Sequence, residues 1–384
     1  MKQLRREPFR VFFPLGLVLA LAGVLPWALW ATGRLAGWPG LYHSLTMTQS
    51  FLVAVAVGFL GTMLPRRTKA DPLSTLEIAV VLLALLGVPL TSHFGSLPAA
   101  ELCFAVVLMT LGQYVLRAAL SRHAQGAVRP PPSSFVWLPV SVLLGLLGAG
   151  LLAGSSGLPD WAAVLGRQLA QQGLMLGLVL GIGPMLTPLL ATGEAPADPT
   201  PQVARRQRAL HLLRAAAFLG SFFLEAGGAP RAGVLLRGAV CAAVLLPSLR
   251  RPWQRRGLHR QLARLAFWLV PVGLLLAGAL PLGRVAFLHV TFIGGLALLC
   301  LAISIHVGLL HTGREHLAEG RPVLVGLAGG LMLAAAAART FADFAAARYP
   351  AALALAALCW LASCLLWGAF MVPKLLVGSE QAPG

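Results

Sequence analysis

The chain has 384 residues, of which 58% are hydrophobic and only 11% charged, and its mean hydropathy is +0.81. No ordinary soluble domain has this composition, so the class is an all-α polytopic membrane protein. The formal net charge of +18 fits basic loops on one membrane face better than a nucleic-acid surface.

Apolar windows of about 20 residues predict twelve transmembrane helices in a bundle. They fall near 11–31, 43–64, 74–92, 98–120, 135–154, 171–191, 209–227, 232–249, 263–281, 285–310, 323–345 and 350–377. The connections are too short for a soluble domain, so 1–384 reads as a single integral membrane domain. MKQLRREPFR resembles the basic start of a signal peptide. The apolar run after it has the length of a retained helix, with cleavage at Ala31 as the alternative.

His43 opens the second span, and Met47 lies one turn deeper on the same face, an imidazole and a thioether that both suit haem iron or copper. Glycines 145, 148, 150, 177, 181 and 183 are expected at close helix crossings. Two stretches read as loops: HAQGAVRPPPSS at 123–134, and TGEAPADPTPQVARRQR at 192–208, which divides the chain into halves 1–191 and 209–384. That division also fits a two-halved transporter with broken helices near Pro184 and Pro188. Glu225 and Arg237 flank a short turn and can neutralise each other. RRPWQRRGLHRQLAR at 250–264 reads as a solvated topogenic loop that attracts anionic lipid headgroups. With the N-terminus inside, most of the 30 lysines and arginines lie on that side, so both termini are expected in the cytoplasm.

His289 begins the tenth span at a depth like that of His43. Two histidines at one depth on separate helices suit a bis-histidine b-type haem, and equally an interhelical hydrogen-bonding role. At about 1.5 Å per residue His311 lies roughly 33 Å from His289, so the two cannot share a metal. His306, His311 and His316 are spaced by five and do not form an i, i+4 metal pair. Arg339 and Asp343 are four apart and can pair. The five cysteines form no C-x-x-C, which leaves covalent haem and cysteine-zinc sites without support. The second, sixth and tenth spans run in the same direction and begin with polar residues, His43, Gln171 with Gln172, and His289. This is a faint trace of a four-helix unit used three times.

Three segments resemble the NnrS family, bacterial inner-membrane haem- and copper-containing proteins tied to the response to nitric oxide. PFRVFFPLG at 8–16 is similar to its F-R-P-F-F opening. YHSLTM at 42–47 with GFLGTMLPRRTKADPL at 58–73 is similar to W-H-x-H-E-M and G-F-L-x-T-x-x-P-x-x-T. HVTFIGG at 289–295 and HTGR at 311–314 resemble H-A-L-T-x-G and G-H-T-G-R at matching spacing. The resemblance implies a role in nitrosative stress, with b-type haem on His43 and His289 near the periplasmic face. Met47 would stand nearby, and Arg237 or Arg339 would meet the propionates. Leu45 and Thr46 replace the motif's second His and Glu, which weakens the expectation of copper, and His306 stands where the family has Arg. The family's layout is similar to the pseudo-threefold, twelve-helix subunit of haem-copper oxidases. There the copper histidines come from the sixth and seventh helices, whereas this chain offers only Gln171, Gln172 and His211. A copper-centred reductase is therefore disfavoured. The competing functions are a twelve-span secondary transporter and a metal-free family member with a structural or assembly role.

Overall fold

The computed structural model describes residues 2–124, 132–194, 196 and 199–376. It contains twelve helices of membrane-crossing length and composition, and no strand among the described residues. They are α1 (Phe9–Ala31), α2 (Gly40–Thr68), α3 (Thr75–His93), α4 (Leu97–Leu120), α5 (Ser133–Ala153) and α6 (Asp160–Thr192). The second half follows with α7 (Pro201–Ala226), α8 (Pro230–Leu249), α9 (Leu258–Ala279), α10 (Arg284–His311), α11 (Val323–Ala342) and α12 (Ala346–Leu376). This is a multi-pass membrane protein.

Local chemistry sets the helix starts. Ser74 and Glu77 form a reciprocal capping box on α3: the Glu77 amide donates to Ser74 Oγ at 3.1 Å, and the Ser74 amide donates to Glu77 Oε2 at 2.7 Å. Pro201 and Pro230 occupy first-turn positions of α7 and α8, where a missing N–H costs nothing.

Three starts differ from expectation because hydropathy sees only apolar windows. α6 begins at Asp160, about three turns before 171. Its first segment, DWAAVLGRQ, buries Ala162 and Leu165 while exposing Asp160 and Arg167, so its average is too polar. The predicted loop 192–208 is helical from Pro201, and the exposed Arg205, Arg206 and Arg208 ride on an extension of α7. The predicted solvated loop 250–264 becomes α9 from Leu258, with His259 and Arg260 buried. Arg260 Nη1 donates to the Leu190 carbonyl at 3.1 Å, which is how a cation is accommodated there. Of the loop predicted at 123–134, residues 125–131 lie outside the described residues.

The faint threefold regularity corresponds to a real packing pattern. α2, α6 and α10 form the centre, where 83% of each apolar window is buried against 28–56% in the other nine helices. Around them α4 packs on α5, α8 on α9, and α12 on α1, so three four-helix units close into a ring. Each central helix also contains a π-helical stretch: Thr46–Phe51 in α2, Leu169–Gly173 in α6 and Val290–Ala297 in α10. Such segments are rare and concentrate at functional sites. α6 stays helical through Pro184 and Pro188, so the broken helix expected of a transporter is not present there.

Close crossings use glycine as expected at Gly148, where a Cβ would lie 2.5 Å from the Ala170 amide nitrogen and 3.0 Å from its Cα. Backbone cannot rotate away as a side chain can. Gly148→Val should therefore force α5 off α6 at a cost of about 1–3 kcal/mol or more, read as lost monodisperse protein and a lower unfolding temperature. Gly150, also expected at a crossing, has nothing within 4 Å. Gly150→Val is the matched control and should be nearly neutral.

Candidate functional site

The three central helices meet around a cavity of about 370 Å³, within the usual range for ligand sites. The π-helical segments are what aim side chains into it. His43 precedes the π stretch of α2, and Met47 and Thr48 fall inside it. His289 precedes that of α10, and Phe292 and Ile293 fall inside it. Gln171 and Gln172 come from the π stretch of α6. Arg339 of α11 and an aromatic set, Trp27, Trp38, Tyr349 and Trp360, complete the wall. Trp27 and Trp38 pack edge to face at 4.7 Å, and Trp27 meets the His43 ring edge-on at 5.8 Å.

Both imidazoles are fixed through the same nitrogen. His43 Nδ1–H donates to the Gly23 carbonyl at 2.8 Å, and His289 Nδ1–H donates to the Val285 carbonyl at 2.8 Å. A carbonyl can only accept, so it assigns the proton to Nδ1 and leaves each Nε2 as the lone-pair nitrogen. This is how protein-bound metals commonly have their histidines oriented. Gly23 makes the His43 contact feasible, because a Cβ there would stand 2.6 Å from Met47 Sδ. The donor set fits a haem iron. Arg339 spends one hydrogen bond on Asp343, Nη1 to Oδ1 at 2.6 Å, and its remaining guanidinium donors suit an anionic substituent.

The structure thus brings His43, His289, Met47 and Arg339 to one cavity. Arg237 is elsewhere. It is fully buried one layer behind Gln172, with Nη1 on Gln172 Oε1 (2.7 Å), Nη2 on Glu225 Oε2 (2.7 Å), Nε on Ser221 Oγ (3.3 Å) and its guanidinium over the Phe222 ring at 3.8 Å. Arg284 also pairs with Glu225. Arg237 is a scaffold cation committed to Glu225, and it meets the cavity only through Gln172. Leu45 and Thr46, where the family motif has His and Glu, are both buried.

His259, His306 and His311 lie toward the end of the bundle that carries both chain termini. His311 packs at a tilt against Phe9 at 5.6 Å and touches the Arg66 guanidinium. Glu7 binds Arg10 at 2.7 Å and Arg66 at 3.6 Å, while Arg10 and Arg314 donate to the Leu375 and Lys374 carbonyls at 2.6 and 3.3 Å. The PFR, PRRT and HTGR segments therefore converge in a clamp joining α1, α2, α10 and α12. His306 stacks on His259 at 5.5 Å, with 3.4 Å between its Nδ1 and His259 Nε2. That partnership was hidden because His259 sits in a basic stretch that resembles a loop. His211 accepts from Trp137 Nε1 at 3.2 Å, away from the cavity.

A comparison with curated proteins gives no match. A comparison with protein-family models matches the NnrS protein family over residues 3–377. With nearly the whole length matched, and with all three motif segments placed either at the cavity or in the clamp, the chain belongs to the NnrS family.

Proposed function

We propose that this protein is an integral membrane haem protein of the bacterial nitrosative-stress response, with b-type haem held between His43 and His289. The single observation that carries the reading is the pair of imidazoles on two central helices, both lining one cavity and both with Nδ1–H fixed on a backbone carbonyl. The resemblance to the NnrS family supports the link to nitric oxide. The charge asymmetry of the loops supports an inner-membrane orientation with both termini in the cytoplasm and the cavity toward the periplasm.

In this reading His43 and His289 hold the iron through Nε2, and the Gly23 and Val285 carbonyls keep the rings turned toward it. Arg339 anchors a propionate. Trp27, Trp38 and Trp360 restrict water. When bound, the haem supplies one-electron redox chemistry. Copper has weaker support, because Leu45 offers no donor and Thr46 only a hydroxyl where the motif has His and Glu.

The test is the visible spectrum of the full chain purified in mild detergent, oxidised and then reduced with dithionite. Sharp reduced Soret and α bands are expected. A folded, colourless protein from haem-sufficient cells would overturn the reading and leave the transporter or metal-free alternatives.

A further inference from the structure

Two glutamates are buried in the same end of the bundle as the cavity, and the fold treats them in opposite ways. Glu225 lies between Arg237 and Arg284. Glu101, on the second turn of α4 and 0% exposed, has one hydrogen-bonding partner among the described residues, the amide of Gln49. Gln49 Nε2–H donates to Glu101 Oε1 at 2.8 Å. The other oxygen of each group, Gln49 Oε1 and Glu101 Oε2, is buried without a partner among the described residues.

Two acceptor oxygens left over on two groups already joined by a hydrogen bond is an informative defect. An ionised carboxylate offers only acceptors, so it cannot satisfy Gln49 Oε1. It would also be an uncompensated charge in the interior of a membrane bundle, an arrangement that proteins avoid. The ionisable groups on the helices packed around it are engaged elsewhere or distant. Glu77 and Arg117 pair at the other end of α3 and α4, Arg66 belongs to the clamp, His93 packs on Tyr42 and Phe94, and His43 is held by Gly23. One proton on Oε2 would give the acid a donor for Gln49 Oε1, and with the existing bond the two groups would form a two-bond acid–amide ring.

We propose that Glu101 is a proton-binding site, held in the resting protein as a neutral carboxylic acid in a cyclic pair with the Gln49 amide. Its ligand is a single proton, drawn from the aqueous phase beyond the α3–α4 turn. Glu101 lies only about 6 Å along α4 from that turn. Gln49 belongs to the same π-helical stretch that presents Met47 and Thr48 to the cavity. The bundle thereby keeps one neutral, exchangeable acid immediately behind the cavity wall. The proposal does not depend on what fills the cavity.

Infrared spectroscopy of the purified full-length protein tests it. The wild-type minus Glu101→Gln difference should contain the carbonyl stretch of a protonated carboxylic acid, moving on exchange into heavy water. Glu101→Asp should keep such a band at an altered frequency, and it replaces the Gln variant if that protein does not accumulate. Gln49→Leu should move the acid band toward that of an unbonded carboxyl. Ionised-carboxylate bands in place of the acid carbonyl would overturn the proposal, and an acid band unmoved by Gln49→Leu would overturn the pairing.

Discussion

Replacing either His43 or His289 with alanine will abolish the reduced haem bands, with bound haem per chain falling by roughly tenfold or more. Removing only an outer-shell partner of a metal ligand commonly costs 10–100-fold in affinity or activity, so losing the ligand itself should not be milder. The two variants should fail alike, because each imidazole is one half of a pair supplied by different central helices. His259→Ala and His306→Ala are the matched controls. They remove a buried stacked pair toward the end of the bundle with both termini, so they should lower stability and leave the band positions unchanged. Pyridine haemochrome content per mole of purified protein is the measurement. Full haem content in both cavity variants, or loss in the distant pair alone, would remove His43 and His289 as ligands.

Glu225→Ala should be the most damaging single change to the scaffold. It strands Arg237, whose side chain is 0% exposed, with only Gln172 and Ser221 as neutral acceptors. Breaking a buried ion pair from one side costs about 3–5 kcal/mol, whereas replacing both partners with apolar groups is often close to neutral. The double variant Glu225→Leu with Arg237→Met should therefore recover much of the unfolding temperature lost in Glu225→Ala. Arg284 adds little to the penalty because its side chain is 39% exposed and can turn to solvent. Thermal unfolding in detergent decides this, and a Glu225→Ala protein as stable as wild type would refute it.

The spans were legible because the bilayer demands about 20 apolar residues, and twelve such windows stand out. Helix starts were less so, since the first turns of α6, α7 and α9 carry charged and polar residues that lower the apolar average. His43, Met47 and His289 were legible as candidates by residue type and depth, and Arg339–Asp343 by its i, i+4 spacing. The place of Arg237 one layer behind the cavity was not. A sequence shows that Arg and Glu flank one turn, but not that Gln172 of α6 and Ser221 of α7 complete the arginine's shell. Gly23 and His259 carry no sequence signal as partners, because their roles depend on helices far apart in the chain. The Glu101–Gln49 pair spans 52 positions and was hidden for the same reason.

The three π-helical stretches divide each central helix into two independently oriented parts. Each stretch accommodates one residue beyond the α-helical repeat, which rotates the segment before it by about 100° relative to the segment after it. The lower parts of α2, α6 and α10 can therefore keep the angles that close their mutual packing. The upper parts can face the cavity at angles set by what it must hold. A bundle built this way can change its ligand set by adjusting a single turn, without re-solving how twelve helices fit together.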